Sequence, residues 1–238
     1  MARTSGVLER VSKARWGFET YSTLAWYTDT MERKHIITLT GKPGSGKSST
    51  ADRVAEMLGY TRYSLGEYVR DVTHKQKLTL EEFNNRAEHK PEIDMQIDEK
   101  LRSLRDHHDI VIDARLGFYW IPESFKVYLD LDSELAIARI FTDVNLNKNR
   151  QKSGEGDADM AEVMDQVMER MRNERKRFKK LYGVDPYSIE HFDLVIDTAR
   201  HSPQTVALTI FDQYKKWLKS STWERVMSSV PIGFSFKH

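Results

Sequence analysis

"TGKPGSGKSST" occupies residues 40–50 and decides how the rest of the chain is read. Within it Gly41, Gly46, Lys47 and Ser48 follow the spacing G-x-x-x-x-G-K-S, the full pattern of a phosphate-binding loop. The chemistry needs these residue types. Glycines at 41, 44 and 46 let the backbone turn tightly and aim successive N–H groups at phosphate oxygens. Lys47 adds a mobile positive charge, and Ser48 offers a hydroxyl to Mg²⁺. The helix that begins here turns its positive dipole end toward the anion, and Pro43, Ser45 and Ser49 complete the candidate phosphate-binding set.

The flanks agree with the loop. "HIITLT" (35–40) is short, apolar and β-branched, which predicts a buried strand, and "SSTADRVAEMLG" after the lysine has helical spacing closing on Gly59. Further strands are predicted at "TRYS" (61–64), "DIVIDAR" (109–115), "KVYLDL" (126–131) and "DLVIDT" (193–198). Helical segments alternate with them, so the fold is read as α/β with five parallel strands joined by right-handed crossovers. The region from Leu65 to about Asp106 is charged and helical, broken by Pro91, and the polar stretch 145–159 is read as a loop. After it, Met160, Val163, Met164, Val167, Met168 and Met171 recur at helical intervals, predicting an apolar packing stripe.

Composition narrows the function classes. The chain has 238 residues, a formal net charge of +1 and no cysteine. Near-neutral charge gives no global attraction to nucleic acid or membrane, and no apolar run approaches the ~20 residues that span a bilayer. The lack of cysteine excludes disulfides, thiolate metal sites and a cysteine nucleophile, and suits a reducing, cytoplasmic setting. Residues 1–30 are read as a poorly ordered extension, 31–220 as the main domain and 221–238 as a tail.

A phosphate loop serves GTPases, ATPases and small kinases alike. The guanine-reading N-K-x-D element has no counterpart, since "NKNR" (147–150) lacks the aspartate. Asp113 stands at a strand's C-terminal end, where open α/β sheets bind ligands, and is a candidate second metal ligand beside Ser48. "YSLGEYVRD" (63–71) opens another helix with Ser64, and Arg70 follows six residues on, a layout resembling the phosphate-acceptor site of nucleoside monophosphate kinases. A guanidinium fork suits an acceptor phosphate. From Arg170 to Lys180 seven of eleven residues are basic and Glu174 is the single acid, with Arg170, Glu174 and Arg177 on one helical face.

Together with the loop and "SLGEYVR", four further segments carry a family resemblance. They are "LTLEEFNNRAEHKPEID" (78–94), "IVIDARLG" (110–117), "ERKRFKKLYGVD" (174–185) and "FDLVIDTARHSPQTV" (192–206). The chain resembles the cytidylate kinase family, particularly its compact archaeal-type branch, over roughly residues 34–215. The resemblance implies a three-layer P-loop kinase fold with an acceptor-binding helical insertion at 65–106 and a helical lid at 142–185. It implies ATP and Mg²⁺ as donor and cofactor, and CMP or dCMP as acceptor. By matching position, Ser64, Arg70 and Arg115 would hold the acceptor, with Asp94 near its base or ribose. Lys47, Arg115, Arg170, Arg175 and Arg177 would supply catalytic charge. The chain departs from the family at "EKL" (99–101), where an R-R-Q-like run is common, and at Ala114, where glycine is common. The competing readings are a P-loop kinase for another nucleotide or small-metabolite acceptor, and a nucleotide-binding regulatory protein without transfer activity.

Overall fold

A computed structural model describes residues 33–79, 82–83, 86–87, 90–146 and 159–229. The expected extension at 1–30, positions 147–158 of the expected loop and the last nine residues of the tail lie outside the described residues.

Strand β1 (Ile36–Gly41) is the centre of the molecule, with all six residues buried. It alternates sides in the usual period of two. Ile37 and Leu39 join one apolar cluster, while Ile36 joins the other. Thr38 and Thr40 face the second side and are satisfied there: Thr38 shares a hydrogen bond with Ser124 at 2.9 Å, and Thr40 donates to the Ala114 carbonyl at 2.9 Å. Helix α1 (Lys47–Leu58) follows the loop and ends at Gly59, whose φ of 69° supplies the left-handed C-cap. Strand β2 (Thr61–Ser64) leads directly into α2 (Leu65–Lys75), and α3 (Pro91–Ser103) starts with proline in its first turn.

The remaining elements are β3 (Ile110–Asp113), the short α4 (Gly117–Trp120), β4 (Phe125–Asp130), α5 (Ser133–Leu146), α6 (Met160–Tyr182), β5 (Leu194–Asp197), α7 (Pro203–Lys219) and β6 (Val226–Ser229). The sheet order is β2-β3-β1-β4-β5-β6 and every pairing is parallel. One apolar cluster joins the sheet to α1 and α7 through Ala51, Val54, Val206, Ile210, Tyr214 and Trp217. The other joins it to α3, α4 and α6 through Leu101, Phe118 and Phe178, completing three layers.

The five-stranded expectation needs one correction. The tail contributes a sixth strand, because Val226 donates its N–H to Asp193 and the segment pairs along β5. Trp223 fixes its approach by packing edge-on to Phe125, 6.0 Å between ring centres, and donating its Nε1–H to the Asp193 carbonyl. The apolar stripe of α6 also differs. Val163 and Phe178 are buried, whereas Met160, Met164 and Met168 are 49%, 44% and 40% exposed. The buried row runs through 163, 174 and 178, and the three methionines lie one step around the helix from it. Among the described residues no helix is long and apolar enough to cross a membrane.

Candidate functional site

The C-terminal edge of the sheet gathers the candidate residues. Chain direction diverges there, since β1 lies between β3 and β4, and this is the switch point at which open parallel sheets leave a crevice. The loop after β1 fills it. Gly44 has φ 75°, and a side-chain carbon there would lie 2.6 Å from the Ala136 carbonyl of α5, so only glycine lets the loop seat against that helix. Ser45 is buried and turns its hydroxyl back to the Lys42 carbonyl at 2.8 Å, making it a brace of the loop. Pro43 belongs to the turn, Gly46 caps α1 in a left-handed conformation, and Ser49 is exposed on the first turn of α1.

Lys47 folds back across the loop, donating to the carbonyls of Gly41 at 3.0 Å and Lys42 at 2.9 Å. Burial first, and then the Arg115 guanidinium, push its ammonium down from 10.5 to about 7. Ser48 donates its hydroxyl to Asp113 Oδ2 at 2.7 Å. Those two hard oxygen groups, next to the loop, fit a Mg²⁺ ion that also takes phosphate oxygens.

A second anion position lies at the start of α2. Ser64 is the N-cap, accepting from the Glu67 N–H at 3.3 Å. Arg70 curls back over the same turn: a carbon built on Gly66 would lie 3.7 Å from Arg70 Nη1 and 3.9 Å from Ser64 Oγ. Ser64 and Asp113 are register partners across β2 and β3, which sets this position beside the candidate metal ligands.

Beside the loop, α6 builds a cluster around a buried carboxylate. Glu174 is 7% exposed. Its Oε2 accepts from Arg115 Nε at 2.9 Å and the Tyr187 hydroxyl at 2.5 Å, and its Oε1 accepts from Arg170 Nε at 3.0 Å. Burial alone would raise its pKa, but Arg115, Arg170 and the Tyr187 hydroxyl more than offset burial and hold the carboxyl well below the carboxylate range. Arg115 also donates through Nη1 to the Gly41 carbonyl at 2.7 Å, tying α6 to the loop. Arg175 stands outside the Glu174 cluster: it is half exposed, as Arg170 nearly is, but pairs with Asp185 at 2.8 Å.

One turn further along α6, Arg177 faces Asp94 of α3 at 3.3 Å. Both side chains are buried, yet neither Arg177 Nε nor Asp94 Oδ2 completes a hydrogen bond among the described residues. Burial raises the Asp94 carboxyl from 3.8 to about 6, with Arg177 partly opposing it. Asp98, one turn on, is fully engaged by Trp120 Nε1 at 2.9 Å and by the Tyr182 hydroxyl, so it serves as the rigid wall behind Asp94. Of the "EKL" departure, Glu99 is exposed, Lys100 lies over the Tyr63 ring and Leu101 is core. Ala114 is buried and presents its carbonyl to Thr40.

The structure therefore brings together Lys47, Ser48, Asp113, Arg115 and Arg170, sets Ser64 with Arg70, and sets Asp94 with Arg177. The sequence reading gave no role to Glu174, Asp98, Tyr182, Asp185 or Tyr187. Glu174 had a signal in its isolation among seven basic residues, at spacings that aim it at Arg170 and Arg177. Tyr187 had none, because only the turn after Gly183 returns it to α6.

Comparison with known proteins gives the family and the fold. The model of the cytidylate kinase-like family matches residues 36–200. A cytidylate kinase from Methanopyrus kandleri is 33% identical over 172 residues, covering 70% of this chain and 86% of its own. An S-adenosylmethionine-dependent nucleotide dehydratase from Lacinutrix mariniflava is 36% identical over 185 residues, 77% of this chain, but the match spans only 36% of that relative. A shikimate kinase from Bacteroides thetaiotaomicron shares the fold at 13% identity and a TM-score of 0.50, over 78% of this chain and 98% of its own. With its P-loop kinase sheet, its loop and the matched segment from β1 to beyond β5, the chain is a kinase-like enzyme that belongs to the cytidylate kinase-like family.

Proposed function

We propose that this protein transfers the γ-phosphoryl group of ATP to a nucleoside monophosphate, with CMP or dCMP as the preferred acceptor. An acceptor phosphate oxygen bonds to the γ-phosphorus as the bond to the β,γ-bridging oxygen breaks, leaving ADP and a nucleoside diphosphate. An ionised acceptor phosphate is already nucleophilic, so the work of the site is positioning and charge stabilisation. Lys47 and the loop N–H groups hold the donor phosphates, while Ser64, Arg70 and the N-terminus of α2 hold the acceptor phosphate. Ser48 and Asp113 would hold Mg²⁺, which neutralises phosphate charge and aligns the donor. Arg115, bonded to the Gly41 carbonyl of the loop, and Arg170, joined to it through Glu174, stabilise the charge of the moving group. In this reading α6 is part of the lid and α2–α3 the acceptor-binding insertion.

The observation that carries the choice of base is the Asp94–Arg177 pair, buried and short of hydrogen-bond partners. Cytosine offers an amino donor at N4 beside acceptors at N3 and O2, so one carboxylate and one guanidinium complete it edge-on. Uracil presents an acceptor at position 4 and a donor at N3, which sets oxygen against the carboxylate and N–H against the guanidinium. The test is kcat/KM for CMP and UMP in the wild type and in Asp94→Asn. The reading expects a preference for CMP that shrinks about tenfold or more in the variant, the scale of one charged hydrogen bond left unmade in a buried site. A preference that is absent in the wild type, or untouched by Asp94→Asn, moves the acceptor assignment to another nucleotide.

A further inference from the structure

We infer that Glu174 is a positioning residue, whose buried carboxylate, steadied by Tyr187, fixes the guanidinium groups of Arg115 and Arg170 with their outer edges turned toward a shared anion. This rests on the phosphoryl-transfer reading above and adds a component to it. Both arginines are held through Nε, at 2.9 and 3.0 Å. Gripped from that side, a guanidinium keeps its two Nη groups for other acceptors. Arg115 spends Nη1 on the Gly41 carbonyl, which pins it to the loop, and no partner among the described residues engages its Nη2 or either Nη of Arg170. Arg115 and Lys47 donate to the same Gly41 carbonyl, at 2.7 and 3.0 Å, and Arg170 is joined to Arg115 through the two oxygens of Glu174, which sets both guanidinium groups on the loop's side of the cluster.

A counter-ion alone would not need this arrangement. A buried carboxylate next to an anion site repels the ligand, and any exposed acid could balance the charge more cheaply. Here the two carboxylate oxygens are shared among three donors from three parts of the chain: the turn after β3, α6 itself and the turn after Gly183. Such a constellation fixes direction as well as charge, which is what transfer between two bound phosphates demands.

Three variants separate direction from charge. Glu174→Gln keeps shape and removes charge, Glu174→Asp keeps charge and shortens the reach by one methylene, and Tyr187→Phe removes one hydroxyl. Each is measured as purified folded protein for kcat, for KM of ATP and acceptor, and for the ¹⁵N–¹H signals of arginine Nε groups in the nucleotide-free state. The inference expects kcat to fall about 10²-fold in Glu174→Gln and at least tenfold in Glu174→Asp, with severalfold loss in Tyr187→Phe. KM stays within about threefold or decreases, because removing a carboxylate also removes repulsion. In an Arg115→Ala background, Glu174→Gln should add little, since residues acting as a unit are not additive.

Two solvent-protected Nε–H signals, assigned with Arg115→Lys and Arg170→Lys, should be present in the wild type, and at least one should be lost in Glu174→Gln, whose amide offers a single acceptor oxygen. Should Glu174→Gln fail to fold, Glu174→Asp and Tyr187→Phe carry the same comparison. A kcat within threefold of wild type in folded Glu174→Asp, or protection of both Nε–H groups that persists in Glu174→Gln, overturns the inference. A wild type without acceptor-stimulated turnover would instead sink the kinase reading, and the Nε–H signals would still decide the role of Glu174 in setting the arginines.

Discussion

Burial beside Arg115 makes Lys47 a group that titrates near neutral pH. Its pKa is depressed from 10.5 to about 7 by burial and by Arg115, so above pH 7 the nucleotide-free protein carries fewer protons than a complex in which phosphates recharge the ammonium. Nucleotide affinity should therefore decline as pH rises through about 7, and binding at pH 8 should take up close to one proton. Calorimetry in two buffers of different ionisation enthalpy measures that number, and zero uptake would contradict it. Asp94 works the other way. Its pKa is raised from 3.8 to about 6, so its contribution to stability is present below pH 3.8 and lost as pH rises through 6. Asp94→Asn should then stabilise the folded protein by about 1–3 kcal/mol at pH 7.5, an advantage that vanishes near pH 4 in denaturant titrations, while costing base discrimination. The phosphate loop was legible because its geometry dictates its residue types in one continuous stretch. The Asp94–Arg177 pair was legible only as two separate residues, since their partnership joins α3 to α6 across 83 positions of chain.

Helix α6 shows what spacing can and cannot decide. Its limits were readable: Asp159 and Glu162 form a reciprocal capping box, and Gly183 closes the helix in a left-handed conformation with φ 73°. Its inward face was not, because methionines and valines occupy two adjacent rows and either row could have packed. Tertiary contacts decide the matter by burying Glu174 against Arg115 and leaving Met160, Met164 and Met168 outside. Removing the cap isolates the element. Asp159→Ala should cost about 1 kcal/mol in equilibrium unfolding, with its effect concentrated in the first turn of α6 and the Glu174 cluster four turns away intact. Amide hydrogen exchange resolved along the helix checks this, and loss of protection at Glu174 as large as at Val163 would contradict it.

For the whole molecule, the positions along the chain and the parallel direction of the first five strands followed from short apolar runs alternating with helices, and so did the location of the site at their C-terminal ends, while their order in the sheet came from the structure. The sixth strand did not, because "VMSS" has no apolar run and becomes a strand only by pairing with the β5 edge, under the guidance of Trp223. Trp223→Ala should destabilise the fold by about 2–3 kcal/mol through lost packing on Phe125 and a lost hydrogen bond, with the midpoint of urea unfolding as the readout and unchanged KM values in the folded protein. The central claim concerns the complete enzyme, in which loop, acceptor site and arginines act on two nucleotides at once. It is tested most directly by ADP release from Mg-ATP in the presence of CMP, dCMP, UMP, AMP or GMP, with Lys47→Ala alongside. The account predicts that CMP or dCMP gives the highest turnover and that Lys47→Ala abolishes it. ATP binding with no stimulation of ADP release by any of the five nucleotides would contradict it.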